Sequence, residues 1–106
     1  MADTFIPTSK MAANAKRGLK LRAKFGRGGT DVGVRRAEQL ADRREFSATD
    51  VKAIHSYFAR HAVDKNGKAH AWDSSSDPSA GYIAWLLWGG DEGKAWAKRK
   101  RMILDD

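Results

Sequence analysis

Gly81-Tyr82-Ile83-Ala84-Trp85-Leu86-Leu87-Trp88 is apolar on every face, in a chain that is otherwise basic and polar. A helix without a polar face is a buried one. The stretch is far shorter than the ~20 residues that a bilayer requires, so it reads as the core helix of a small domain. Its expected start is Asp77-Pro78, where aspartate can cap the helix and proline fits the first helical position. Its expected end is Gly89-Gly90, since glycine takes the left-handed conformation without a Cβ clash. Asp91 then caps a last helix that points Ala95 and Trp96 inward and Lys94, Lys98, Arg99, Lys100 and Arg101 outward.

Outward from that core, the preceding segments also read as helices. Thr8 or Ser9 caps a helix running to about Phe25, with Met11, Ala15, Leu19 and Ala23 as its narrow apolar stripe and Lys10, Lys16, Arg17, Lys20 and Lys24 on its other faces. Gly18 inside it points to close helix packing. Gly26-Arg27-Gly28-Gly29 stops it, and Thr30 with Asp31 opens a short helix with Val34, Ala37, Leu40 and Ala41 on the apolar side. Phe46-Ser47-Ala48-Thr49-Asp50-Val51 is a helix start in which Ser47 and Asp50 form a capping box and Phe46 staples onto Val51. Ile54, Tyr57, Phe58 and Ala62 continue that stripe. The two helices joined near Arg44 suggest a helix-turn-helix-like pair, although Ala48, Thr49 and Asp50 are poor base readers.

Residues 63–77 form one long loop with a turn at Asn66-Gly67 and with Trp72 folding back as a lid. Phe5 and Ile6 sit in an N-terminal arm over residues 1–7, and Met102-Ile103-Leu104 is an apolar end that must dock on the body or on a second chain. With no repeat and no persuasive strand, the expectation is an all-α, compact, single-domain bundle of four to five short helices over residues 8–106.

The chain has 106 residues, no cysteine and a formal net charge of +7. The absence of cysteine excludes disulfides, thiol catalysis and thiolate zinc sites. No apolar leader follows Met1, which argues against secretion. The positive charge argues for a polyanionic partner, because lysine and arginine displace counterions from phosphates. It is concentrated between Lys10 and Arg44, where only Asp31, Glu38 and Asp42 oppose nine further cations. A glycine loop carrying arginine and feeding a helix N-terminus can present N–H groups and a guanidinium to phosphate, or can serve simply as a cap and linker. No nucleotide-binding P-loop is present.

Nothing points to catalysis. His55 and His61 fall on different helix faces, His61 beside Arg60 suits a helix end, His70 can pair with Asp64 or Asp73 but reads better as a chance adjacency, and Ser74-Ser75-Ser76 has no assigned base. The expectation is a non-enzyme without cofactor, metal, small-molecule substrate or membrane association.

Ala15-Lys16-Arg17-Gly18-Leu19-Lys20-Leu21-Arg22, Gly26-Arg27-Gly28-Gly29, Gly33-Val34-Arg35-Arg36-Ala37, Phe58-Ala59-Arg60-His61 and Gly81 through Asp91, with Gly93 and Trp96, together cover most of the chain. In these blocks it resembles a small domain encoded in many tailed-phage genomes, mostly near structural genes. The resemblance carries no catalytic residue. It implies a phage origin, a virion or DNA-handling context, and localisation in the host cytoplasm or the virion. The combined expectation is a basic phage protein that binds nucleic acid, DNA rather than RNA, through Arg17, Lys20, Lys24, Arg27, Arg35, Arg36 and Arg43, largely without sequence preference. The competing expectation is a structural module of a phage particle whose basic face docks on an acidic surface of a phage structural protein.

Overall fold

Five helices follow one another in the computed structural model: α1 (Ser9–Phe25), α2 (Asp31–Ala41), α3 (Ala48–His61), α4 (Ala80–Leu87) and α5 (Gly90–Asp105). The structure describes residues 5–61, 76 and 78–105. Asn66-Gly67, His70, Trp72 and Ser74-Ser75, with Ala62 of the expected α3 stripe, lie outside the described residues. α1 packs chiefly on α2 and α4, and α3 on α5, so the consecutive α2 and α3 find their main partners elsewhere in the bundle.

The helix starts are chemically specified. Thr8 Oγ1 accepts from the Met11 N–H at 3.2 Å, and Gly26, with φ +65°, closes α1 by donating to the Arg22 carbonyl. Thr30 caps α2. Before α3, the Ser47 N–H donates to Asp50 at 3.0 Å and the Asp50 N–H to Ser47 Oγ at 3.3 Å, the reciprocal pair expected of a capping box.

Burial alone would raise the Asp50 pKa and is the largest single influence on it. The Ser47 backbone N–H, the Arg36 side chain, the Ser47 hydroxyl and the Arg36 charge together outweigh burial and hold it below the ordinary 3.8. A depressed carboxylate stabilises the fold above its unfolded pKa, and that contribution disappears as pH falls through the folded value. Asp50→Asn is therefore expected to cost about 1 kcal/mol at neutral pH, with the difference from the parent protein shrinking as pH falls below the ordinary 3.8 and through the lower folded value, as read from urea midpoints at neutral pH and across that acid range.

α4 is the wall about which the core divides. Trp85 and Leu87 join Met11, Leu40, Phe46, Val51, Ile54, Phe58 and Trp96 in the larger apolar cluster, whereas Tyr82, Ile83 and Leu86 meet Leu21 and Phe25 in a smaller one. Trp85 meets the Phe58 ring edge-on at 4.7 Å and donates from Nε1 to Asp91 at 2.9 Å. Gly18 permits close approach, because a Cβ there would lie 3.0 Å from Leu86 Cβ and from the Leu87 backbone nitrogen.

Several sequence expectations shift. α4 starts at Ala80 rather than at Asp77-Pro78, because Ser79 provides the cap: its Oγ accepts from the Tyr82 N–H at 3.0 Å. Asp91 does not cap α5; it lies inside the first turn and accepts from Trp85. Ala95 is exposed, and Ala97 beside Trp96 is buried instead. Ala23 is exposed too, since positions spaced strictly by four drift about 40° per step on a helix of 3.6 residues per turn. The buried side of α1 is Met11, Ala12, Ala15, Gly18 and Leu21. In α2 it is Gly33, Ala37 and Leu40, with Val34 and Ala41 only half-buried.

Phe5 docks on the body by pairing its backbone with Phe46 at 2.9 and 2.7 Å and setting its ring edge against Trp96. At the other terminus Leu104 packs on the core, while Met102 and Ile103 remain more than half exposed.

Candidate nucleic-acid interface

The exposed side of α1 is a row of cations. Lys16, Lys20 and Lys24 repeat at intervals of four, Lys10 continues the exposed face, and Arg17 is half-buried at its edge. The helix carries no carboxylate. Its opposite side packs on α2 and α4, so the same periodicity that buries Met11, Ala15 and Gly18 turns the lysines to solvent.

At the end of this row Lys24 and Arg27 lie over the Phe25 ring, at 5.3 and 5.4 Å from its centroid. One ring thus supports two cations, each drawn to its π-face. Arg22 Nε donates to the Gly28 carbonyl at 3.0 Å, and Arg22 and Arg27 flank a depression of about 260 Å³ floored by Gly26, Gly28 and Gly29. The glycines have a packing reason of their own. Gly28 has φ +101°, and a Cβ on it would fall 2.5 Å from Ile83 Cβ; Gly29 has φ +76° and lies as close to Leu87. Only a chain without side chains can pass between the two arginines and α4 there.

No family model, curated protein or solved structure matches the chain.

Of the seven cations expected from sequence, the structure brings Lys20, Lys24 and Arg27 together along α1 and its C-terminal loop. Arg17 joins them at the edge, with Nη1 donating to the Tyr82 hydroxyl at 2.6 Å. Arg35 is exposed on α2, apart from that row in the chain. Arg36 is turned inward: its side chain is only 14% exposed, pairs with Asp50 at 3.0 Å and lies over Trp88 and Phe46. Arg43 stays exposed at φ +50°, with its Nε donating to the Pro7 carbonyl at 2.9 Å, which ties the N-terminal segment to the end of α2. Arg36 and Arg43 thus have structural duties.

Lys16 on the exposed side of α1 and Arg22 at the glycine loop join the candidate site, although neither was among the seven cations expected to contact phosphate. The four-residue spacing of Lys16, Lys20 and Lys24 was a sufficient signal for Lys16. Arg22 had none, because on α1 it falls at the spacing of the buried Gly18 and Leu21; it is half-buried, with Nε on the Gly28 carbonyl. Among the described residues, no group of three or more His, Cys, Asp or Glu is placed to hold a metal, and no helix is long and apolar enough to cross a membrane.

Proposed function

We propose that this is a phage-encoded basic protein that binds nucleic acid, DNA in preference to RNA, through phosphate contacts from the exposed side of α1 and the glycine loop, largely without sequence preference. The observation that carries the reading is the unopposed row Lys16, Lys20 and Lys24, continued by Arg27 over Phe25. Such a row follows a phosphate backbone without requiring base identity. Resemblance to the tailed-phage domain supports the phage context.

A titration of mixed-sequence DNA over a salt series tests it. Binding is expected at low salt, with log K falling linearly in log salt by about 0.9 per phosphate neutralised on duplex. No binding at low salt, or affinity indifferent to salt, overturns the mechanism.

A second reading is favoured by the exposed Met102 and Ile103 on the last turns of α5. In it the chain is a structural module of a phage particle whose basic face meets an acidic protein. A defined oligomer by mass measurement, together with absence of DNA affinity, selects this reading over the first.

A further inference from the structure

The glycine loop is a partition. On one side lies the basic depression of Arg22 and Arg27; on the other lies an apolar cavity of about 510 Å³, and Gly29 borders both. Val32 of α2, Tyr57, Arg60 and His61 of α3, and Ala84 and Trp88 at α4 bound that cavity. Its size is in the range of about 300–1,000 Å³ typical of small-ligand pockets.

The cavity is edged by stacked rings. Trp88 and Tyr57 lie 4.5 Å apart and within 5° of parallel, and Tyr57 and His61 lie 4.5 Å apart at 25°. Arg36 covers Trp88 from 5.4 Å, so the series is cation, indole, phenol, imidazole. It reaches the half-exposed His61, with the exposed Arg60 next to it. The described lining residues include no carboxylate, and Arg60 adds a cation at the edge. Apolar walls and flat ring edges suit a planar heterocycle, and the cations across the loop suit the phosphate attached to it.

We infer that the nucleic acid is taken as a single strand: a phosphate occupies the Arg22–Arg27 depression, and an adjacent base leaves the stack to enter the cavity beside Tyr57 and His61. The inference rests on the phosphate reading above and adds the strand state and a base contact to it. A duplex cannot supply the base without being unpaired, so single strands and loops are the expected substrates.

The test uses the full chain and three probes of about twelve nucleotides, within the span that single-strand binders cover: oligothymidylate, the same backbone with abasic sites, and a mixed-sequence duplex. Oligothymidylate is expected to bind about 10-fold tighter than the abasic strand, near the lower end of what one base held against aromatic side chains contributes. In amide correlation spectra both strands should shift Arg22, Arg27 and Gly28, whereas only oligothymidylate should shift Val32, His61, Ala84 and the Trp88 indole. Ala80→Leu, at an exposed position on the cavity rim, should reduce oligothymidylate affinity to the abasic level while leaving the abasic affinity and the melting temperature unchanged. Equal affinities for the two strands with silent cavity resonances overturn the base contact and leave the phosphate reading standing. Tighter binding of duplex with those resonances silent overturns it as well. If neither strand binds at low salt, the phosphate reading fails and takes this inference with it.

Discussion

Trp85→Ala is expected to destabilise the protein by about 3–5 kcal/mol, the usual cost of emptying a large aromatic site in a core. Trp85 is 1% exposed, meets Phe58 and Tyr57, and sits on α4, which with α1 lines both apolar clusters. Domains of this size have total stabilities of about 5–15 kcal/mol, so the substitution consumes a large share of the margin. Its neighbours belong to α3, which in turn packs on α5. Loss of the indole therefore loosens two layers together. Trp85→Phe is the milder change: it keeps a ring against Phe58 while forfeiting the Nε1 bond to Asp91 and part of the indole's packing, for about 1–3 kcal/mol. Urea denaturation of both variants measures the two quantities. If the alanine variant falls within about 1 kcal/mol of the parent, α4 does not organise the fold.

What was legible in the chain followed the range of each physical cause. Caps are local, so Thr8, Gly26, Thr30 and the Ser47–Asp50 pair set their helix ends as the sequence indicates. Ser79 and Asp77 are both competent caps within three residues of one another, and local chemistry does not choose between them; the structure uses Ser79. Composition announced α4, because an all-apolar octet has nowhere to go but inside.

The candidate site was less legible, since charge alone does not say which cations face water. Arg35 and Arg36 are neighbours in sequence, yet one is exposed and the other is enclosed by Asp50, Trp88 and Phe46. A signal existed: Gly33, Arg36, Ala37 and Leu40 have the i, i+3, i+4, i+7 spacing of one helix face, which puts Arg36 on the buried side. The glycine loop shows the opposite limit. Its reading as a cap and its reading as an anion site both require glycine, and the further reason, the approach of Gly28 to Ile83, comes from a helix more than fifty residues later.

Replacing Lys16, Lys20 and Lys24 together by glutamate is expected to abolish nucleic-acid binding while the fold is retained. All three side chains are exposed on the side of α1 away from α2 and α4, so reversal removes no core packing. What changes is the field along the phosphate path: three attractions become three repulsions on one helix face. Glutamine at the same positions is the finer probe. It deletes the contacts without adding repulsion, and on duplex DNA should reduce the slope of log K against log salt by about 2.7, the release of roughly three counterions at 0.9 each. Lys52, Lys98 and Arg99, exposed on α3 and α5, make the matching control, because reversing them removes as much positive charge from elsewhere on the molecule. That control should retain most of its affinity in a moderate salt buffer, where charges farther apart than about 10 Å are screened from one another. Equal losses from the two triple variants would mean that net charge alone governs binding and that the α1 face holds no particular place in it.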